Sequence, residues 1–372
     1  MDNIIRLPCG VSCRSADLHK LCCLALGTKV HASILTYVIP FLAMHPPVRS
    51  SVAVGSAHMC VVKADRQIAC FGCNSFGQCH PPKNIGPVMA VAAGRHHSCA
   101  VSINGSLVCF GCNKFGQCDV PPDLGCVTAV AAGWRHTCAM TERGQVVCFG
   151  SNSNGQCSVP DDLGPVICVG AGLNHTCVIT VDGKVVCFGD NTHGQCDAPA
   201  ALGQAVHVAP GWDHTCVVLA SGELVCFGCN YYGQCQVPSR LGPVATVTAG
   251  FSHTCALLVD GRIISFGTTL FRQCQLPSGL GPVVAVTTGA VLTCVVKSGH
   301  ELTCFGCTGP CVPADLGPVA VSVCDVHPKA HRDFVQTFLG LCVASSLDTI
   351  KRTKRAFGKR FSFRLVTAGA SS

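Results

Sequence analysis

The sequence predicts an all-β fold, a seven-bladed β-propeller, and three observations support this prediction. Seven cysteines recur every 39 residues, and a fixed period held over seven units is the signature of a repeat architecture. Within each unit, alternating apolar residues separated by X-Gly pairs indicate short strands and tight turns. One further strand start, residues 317–321, follows the seventh unit and can complete the first. The seven cysteines are Cys60, Cys99, Cys138, Cys177, Cys216, Cys255 and Cys294.

The third unit illustrates the elements of every repeat. Val127, Ala129 and Ala131 alternate with other residues, which predicts a short first strand. A second and a third strand follow, and the Arg143-Gly144 pair between them supplies the positive φ that a tight hairpin needs. Equivalent pairs recur at Asn104-Gly105, Asp182-Gly183, Ser221-Gly222, Asp260-Gly261 and Ser298-Gly299.

A unit of this size cannot enclose a hydrophobic core, so the units must stack on one another. Each unit is predicted to be a three- or four-stranded antiparallel meander, with residues 157–159 and their equivalents as the candidate fourth strand. Antiparallel meanders of this length stack radially into a closed ring, although an open β-solenoid is a competing geometry. A histidine marks each of the first six units, and Leu292 stands at this position in the seventh.

Composition divides the chain into three regions. Residues 52–320 carry 12 Lys and Arg against 14 Asp and Glu, so the repeat body is nearly neutral and offers no broad surface for nucleic acid. The positive charge lies at the two ends, with a basic run at residues 351–355. We therefore expect an N-terminal extension (1–46) that is disordered, a propeller (47–323), and a basic tail (324–372) with a short helix.

The chain has no apolar segment of about 18 residues, the length needed to span a bilayer, so we predict no membrane span. A cytoplasmic or nuclear location is expected, or a secreted one if the cysteines are bridged.

The recurring pattern Ala-Ala-Gly-x-x-His-Thr-Cys-Ala, followed by Cys-Phe-Gly-x-Asn-x-x-Gly-Gln, resembles the regulator of chromosome condensation repeat. This chain has Phe-Gly where many relatives have Trp-Gly, as at Phe149-Gly150. The compact period is similar to propellers of the β-lactamase inhibitory protein type and of HERC-type ubiquitin ligases. The resemblance implies roles ranging from guanine-nucleotide exchange and ubiquitin-ligase partner recognition to inhibitor binding and ultraviolet-B sensing, and the fold does not choose among them.

The 32 cysteines allow more than one interpretation. Six pairs lie ten residues apart across a hairpin turn, which places both members on one face of adjacent strands, so disulfides are feasible. Reduced cysteines buried in the core are the alternative. Cys255 faces Ser265, so one unit does without a pair. The possible hairpin disulfides join Cys60 to Cys70, Cys99 to Cys109, Cys138 to Cys148, Cys177 to Cys187, Cys216 to Cys226, and Cys294 to Cys304.

We predict neither a metal site nor a catalytic site. The Cys-x-x-Cys pairs lie in separate units and are replaced elsewhere by Ser151, Asp190 and Thr268, which argues against zinc. The His-x-Cys arrangement recurs in six units, whereas a nucleophile is needed once. Each histidine is therefore expected to be buried and to bond a backbone carbonyl. No cofactor and no small-molecule substrate are predicted.

Positions that vary between units are free to specialise, and two such positions define a candidate partner-binding rim. One comprises the two residues after the recurrent Gly, and the other precedes the Gly-Gln pair. Aromatic residues and Arg predominate there, as they do in protein-binding hot spots, although packing between blades is the alternative. The candidate rim residues are Arg95, His96, Trp134, Arg135, Asn174, Trp212, Asp213, Phe251, Tyr232 and Phe271. Gly133-Trp134-Arg135-His136-Thr137 resembles the motif of the plant ultraviolet-B photoreceptor, but two tryptophans two blades apart, Trp134 and Trp212, do not build its excitonic cluster.

These observations predict a non-enzymatic scaffold that binds a partner protein through the propeller rim, in ubiquitin-ligase or GTPase regulation. The partner would be a small GTPase or a ubiquitin-pathway component, and nucleic acid is expected only at the basic tail. The alternative is a guanine-nucleotide exchange factor for a Ran- or Rab-like small GTPase, which the family resemblance implies. A HECT-type ligase region is not expected, because only about 50 residues follow the repeats.

Overall fold

The computed structural model describes residues 50–306 and 312–320, together with the backbone of two short strands near the N-terminus. Those strands, β1 (Ile4–Arg6) and β2 (Ser12–Arg14), pair antiparallel in a unit separate from Met44–Lys329. The remainder of residues 1–46 and the helix expected in 324–372 lie outside the described residues. No helix in the described part of the chain is long and apolar enough to cross a membrane.

Seven three-stranded antiparallel sheets follow one another along the chain, one per repeat, and we number them as blades 1 to 7. In each sheet the second strand pairs with both of its neighbours. The strands are β3 (Val52–Val54), β4 (His58–Val62), β5 (Ile68–Gly72), β6 (Val88–Ala93), β7 (His97–Ser102), β8 (Leu107–Gly111), β9 (Val127–Ala132), β10 (His136–Thr141), β11 (Val146–Gly150), β12 (Val166–Ala171), β13 (His175–Thr180), β14 (Val185–Gly189), β15 (Ala205–Pro210), β16 (His214–Leu219), β17 (Leu224–Gly228), β18 (Val244–Ala249), β19 (His253–Leu258), β20 (Ile263–Gly267), β21 (Val283–Thr288), β22 (Leu292–Lys297) and β23 (Leu302–Gly306).

The described blades have three strands each, so of the two predicted alternatives the structure has the three-stranded meander. Residues 157–159 turn instead, because the Cys157 amide donates to the Asn152 side-chain oxygen at 2.8 Å. The Val159 amide then donates to the Cys157 carbonyl at 3.0 Å. The Asn and Cys of each repeat thus build a loop after the third strand.

The core lies between neighbouring blades. Every residue of β10 is buried, because both faces of the middle strand pack against other blades. One cluster, for example, joins Ala129 and Met140 of blade 3 to Val166 and Val178 of blade 4. Burial of apolar area in such clusters stabilises the stack by roughly 25 cal/mol per Å², so each blade depends on its neighbours.

The ring closes where the last described residues return to blade 1. Val319 forms a β-bridge with Lys63, and the Ala320 amide donates to the Val62 carbonyl at 2.8 Å. The Val319 amide donates to the His300 carbonyl at 2.9 Å, as an equivalent amide does between other blades. Residues of blades 1 and 7 share one core cluster with Val319. These contacts confirm the predicted closure and exclude the open solenoid.

A buried hydrogen-bond chain connects each of the first six blades to the next. In blade 3, His136 Nε2 lies 3.0 Å from Thr176 Oγ1 of blade 4. Thr176 Oγ1 donates in turn to the Gln156 carbonyl of blade 3 at 2.8 Å. Because the hydroxyl proton is committed to that carbonyl, His136 Nε2–H must be the donor to Thr176. The same arrangement begins at His58, His97, His175, His214 and His253, with Ser98 serving as the hydroxyl for His58.

The predicted carbonyl partner of these histidines was therefore wrong: the partner is a hydroxyl of the next blade. The sequence could not show this, because the two residues are 40 positions apart and meet only when blades stack. Burial lowers the pKa of His175 and of His253 to about 3 and that of His58 to about 4, with nearby histidines contributing. The fold therefore accommodates these histidines in their neutral form.

Backbone geometry requires glycine at two positions of the repeat. A Cβ on Gly133 would lie 2.6 Å from the Gly172 carbonyl oxygen and would also overlap the His136 ring. This close approach accounts for Gly three residues before His. Gly144 has φ of 74°, as the hairpin prediction requires. In blade 7 the positive φ belongs to His300, at 66°, instead of the predicted Gly299.

Candidate functional site

The variable positions of all blades meet at one end of the strands. The first and third strands of a blade run in the same direction, so the turn after the first strand and the loop after the third emerge together. The hairpins between the second and third strands lie at the opposite end. We call the first end the loop face, and it contains every predicted rim residue.

The residue directly after the recurrent Gly lies at the centre of this face, around the mouth of the central channel. Seven such positions line an opening of about 130 Å³. Arg95, Trp134, Trp212 and Phe251 were predicted on the rim, so their radial placement is corrected: they surround the propeller axis. The seven positions are Ser56, Arg95, Trp134, Leu173, Trp212, Phe251 and Ala290.

Aromatic side chains meet across this mouth. The ring centroids of Trp134 and Trp212 are 4.4 Å apart, and those of Trp212 and Phe251 are 3.6 Å apart. The Arg95 guanidinium carbon lies 4.0 Å from the centroid of Trp134. The two tryptophans meet although they lie two blades apart, because side chains from alternate blades converge on the axis.

Backbone hydrogen bonds between successive blades hold the residues around the channel mouth in position. The Leu173 amide donates to the Trp212 carbonyl at 3.2 Å, and the Trp212 amide donates to the Gly250 carbonyl at 3.0 Å. The Phe251 amide donates to the Ala290 carbonyl at 3.2 Å. The aromatic side chains therefore stand on a backbone that successive blades hold in place.

The second residue after the Gly packs outward against an aromatic ring of the preceding blade. His96 lies 4.8 Å from Phe76 between ring centroids, and the Arg135 guanidinium carbon lies 4.5 Å from the Phe115 centroid. Lys114 Nζ approaches the Phe76 ring at 5.8 Å. Cations and aromatic rings thus alternate over blades 1 to 3.

The framework holds the outer residues of this arrangement. The side-chain oxygen of Gln78 accepts a hydrogen bond from the Phe76 amide at 2.9 Å, and Gln117 does the same for Phe115. Tyr232 and Phe271 are held equivalently by Gln234 and Gln273. The predicted second ring is therefore both anchored through its backbone and exposed at its side chains.

Electrostatics differ between sectors of the face. The pKa of His96 is lowered by burial and then by the positive charges of Arg95, His97 and Arg135. Across the face, burial raises the pKa of Asp213, and Asp190 acts in the same direction while His193 opposes it. The backbone carbonyls of Asn174 and Asp213 accept amide hydrogen bonds from the next loop at 2.8 Å.

Blades 5 and 6 present a large exposed apolar surface, which we call the apolar sector. Tyr231 is 82% exposed and Leu270 is 76% exposed, and Tyr232 and Phe271 are exposed next to them in the same loops. Phe251 is exposed in the turn between the first and second strands of blade 6. Sequence reasoning missed Tyr231 and Leu270. Their position reads Ser75, Lys114, Ser153, Thr192, Tyr231 and Leu270 through the repeats, a variation that could have identified them.

The predicted cysteine pairs face each other across each hairpin. Cys60–Cys70, Cys177–Cys187 and Cys294–Cys304 are bonded, and the sulfurs of Cys99 and Cys109 and of Cys216 and Cys226 lie 2.8 Å apart. Cys138 and Cys148 occupy the same register. Cys255 Sγ lies 2.8 Å from Ser265 Oγ.

The loop cysteines have a different environment, illustrated by blade 3. Cys157 bonds the Ser151 carbonyl at 3.3 Å, and burial raises the pKa of its thiol to about 12. Among residues 50–306 and 312–320, no three His, Cys, Asp or Glu side chains are grouped to hold a metal ion.

Comparison with known proteins identifies the repeat. The model of the regulator of chromosome condensation (RCC1) repeat matches residues 50–78, 89–117, 127–156, 166–195 and 205–234. The chain is therefore a β-propeller that carries the regulator of chromosome condensation repeat in its first five blades. No curated protein sequence matches it.

Solved structures with the same fold come from proteins of different kinds. The ectodomain of the receptor kinase CR4 of Physcomitrella patens is 23% identical with a TM-score of 0.60, over 69% of this chain and 74% of its own. The ectodomain of the Arabidopsis thaliana receptor kinase ACR4 is 21% identical with a TM-score of 0.60, over 73% and 97%. Prp20p of Saccharomyces cerevisiae, described with its binding to Gsp1p and histones, is 18% identical with a TM-score of 0.57, over 76% and 84%. These similarities establish the fold.

Proposed function

We propose that the protein is a non-enzymatic scaffold that binds a partner protein through its loop face. The observation that carries this proposal is the apolar sector, in which Tyr231 and Leu270 are almost fully exposed among three further large apolar residues. Contiguous exposed apolar surface on a folded protein marks an interaction site. Tyr, Trp and Phe beside Arg are the residues that dominate binding energy at protein interfaces.

Two further features support this proposal. The framework is the same in successive blades, whereas the loop face differs from blade to blade, as expected where a repeat protein specialises for recognition. The family hosts partner-binding propellers, and the structurally similar Prp20p binds Gsp1p and histones. A small GTPase or a ubiquitin-pathway component is the partner class that this kinship favours, in the cytoplasm or nucleus.

The test compares partner capture by two matched variants. Tyr231→Ser with Leu270→Ser removes the most exposed part of the apolar sector, and Ile103→Ser removes an apolar residue that is 60% exposed on a hairpin at the opposite end. Proteins cross-linked to the native chain in its own cells should be lost with the double variant and retained with Ile103→Ser. Their affinity is then measured with purified components, and equal capture by both variants would overturn the proposal.

Nucleotide exchange on a small GTPase is the second candidate. Asp190 and Asp213 form an acidic site beside the channel mouth, and burial keeps the pKa of Asp213 raised. Acidic side chains at this face could compete with the contacts that a GTPase makes to phosphate and magnesium. The test is release of labelled GDP from Ran- and Rab-type GTPases. Acceleration by the native chain but not by Asp213→Asn would favour exchange, and no acceleration of any member would exclude it.

A further inference from the structure

Blades 1 to 3 carry a second surface, distinct from the apolar sector. It consists of Arg95, Lys114 and Arg135 with the rings of Phe76, His96, Phe115 and Trp134, and we call it the cationic arc. We propose that the cationic arc binds an Asp- and Glu-rich segment of the partner protein. This inference rests on the proposed function and adds the chemical class of the segment that is recognised.

The first argument is that the positive charges of the arc have no carboxylate partner. Ion pairs in the described ranges are Lys63 with Asp65, Arg262 with Asp260, and Lys297 with Glu301, none of which lies in the arc. The nearby carboxylate of Asp119 accepts a hydrogen bond from the side-chain amide of Asn113 at 2.6 Å. The arc therefore presents three cations whose charge is not neutralised within the described chain.

The second argument is the spacing of the charges. Each cation lies over a different aromatic ring: Arg95 over Trp134, Arg135 over Phe115, and Lys114 over Phe76. A ring that covers one face of a guanidinium leaves its N–H edge free to form paired hydrogen bonds with a carboxylate. Because the cations are spread over separate rings, they suit several single charges along a peptide better than one phosphate.

The third argument is the unsatisfied imidazole within the arc. His96 Nδ1 is buried and has no hydrogen-bond partner, and the pKa of His96 is lowered first by burial and then by Arg95 and Arg135. A carboxylate beside these cations would relieve their effect on the imidazole. Binding should therefore raise the pKa of His96, which NMR can follow through the imidazole proton resonances.

The experiment uses the full chain and a fluorescein-labelled peptide of alternating Glu and Gly. The comparators are the same peptide with Gln for Glu, a peptide with one phosphoserine, and single-stranded oligo(dT). We expect the Glu peptide to bind most tightly, with an affinity that falls as salt is raised. The two tryptophans of the chain both lie at the channel mouth, so tryptophan fluorescence provides a second readout of binding beside Arg95.

Charge-removing variants locate the site. Arg95→Gln with Arg135→Gln should weaken Glu-peptide binding about tenfold. The matched control is Arg143→Gln with Lys184→Gln, which removes two exposed cations from hairpins at the opposite end and should leave affinity unchanged. Thermal unfolding midpoints verify that both variants fold, and no change in the pKa of His96 on saturation would contradict binding at the arc.

Three results would overturn the inference: equal binding of the Glu and Gln peptides, equal loss in the control variant, or tighter binding of the phosphoserine peptide or oligo(dT). Failure here is distinguishable from failure of the proposed function. The peptide assay tests the arc alone, whereas the Tyr231→Ser with Leu270→Ser comparison tests the apolar sector on the other side of the mouth.

Discussion

Six blade-to-blade junctions are built around a buried histidine, and the seventh, between blades 7 and 1, is built from apolar side chains. At the junction of blades 3 and 4, His136 bonds Thr176. At the seventh junction, Leu292 stands in place of the histidine and Met59 in place of the hydroxyl residue, and both belong to one apolar cluster. Two polar partners have therefore been replaced together.

This difference shows what the framework tolerates. Removing one partner of a buried hydrogen bond leaves the other unsatisfied at a cost of about 1–3 kcal/mol, whereas replacing both by apolar groups can be nearly neutral. The polar chain is thus retained or exchanged as a whole.

Lowering the pH should destabilise the histidine junctions but not the apolar junction, and this is the largest effect that we predict. The pKa of His175 and of His253 is about 3 and that of His58 about 4, all below the unfolded value of 6.5. The unfolded chain therefore binds more protons, and the stability that these groups provide is present above pH 6.5 and is lost as pH falls toward 4. These three groups and His207, whose pKa burial lowers to about 4, together give a slope of about 5 kcal/mol per pH unit well below pH 6.5.

Urea unfolding between pH 7 and pH 5 measures this slope, above the range in which exposed carboxylates titrate. Installing an apolar junction with His175→Leu and Thr215→Val should reduce the slope by one histidine's share. A free energy of unfolding that does not change over this range would contradict the account of the histidine junctions.

Gly133→Ala tests a feature that both kinds of junction share. The new Cβ would meet the Gly172 carbonyl oxygen as well as the His136 ring, and at the apolar junction a Cβ on Gly289 would meet the Gly55 carbonyl oxygen. We expect either Ala variant to cost about 3 kcal/mol in unfolding free energy. Gly299→Ala, where no atom lies within 4 Å of the new Cβ, is the control. Rescue of Gly133→Ala by His136→Leu would show that the ring alone sets the requirement.

A double-mutant cycle on His136→Leu and Thr176→Val measures the coupling directly. Each single change should cost about 1–2 kcal/mol, because Leu leaves the hydroxyl without its donor and Val leaves the Nε2–H without its acceptor. The double variant should cost less than the sum of the singles by about 1 kcal/mol. Additive costs in thermal or urea unfolding would mean that the apolar junction is stable for another reason.

The sequence was sufficient for the repeat and its strands but not for radial position. The 39-residue period shows that every blade has positions equivalent to those of Trp134 and Arg135. It does not show that Trp134 points to the axis and Arg135 to Phe115. That distinction depends on how blades tilt and pack. For the same reason the sequence does not predict the hydrogen bond from His136 to Thr176, since only stacked blades bring these residues together.

Blade 6 extends the comparison to the cysteines. At the six histidine junctions the middle-strand cysteine lies beside the junction hydroxyl, as Cys138 Sγ does at 3.4 Å from Thr176 Oγ1. In six of the seven blades this cysteine faces a second cysteine. In blade 6, Cys255 faces Ser265 in the same register. Because the register already fits a bridge, Ser265→Cys should form one when the protein is oxidised with glutathione disulfide.

Intact mass after thiol alkylation under denaturing, non-reducing conditions measures the outcome. Ser265→Cys should protect one more pair of thiols than the native chain, and unfolding free energy should rise by about 2 kcal/mol, as expected for a short loop. Ser265→Ala is the control and should leave Cys255 labelled. If the native chain from its own cells labels at every cysteine, the hairpin pairs are reduced there, and the intracellular scaffold gains support. If it loses two labels per bridged blade, the protein matures in an oxidising compartment, and exchange on a cytosolic GTPase is excluded.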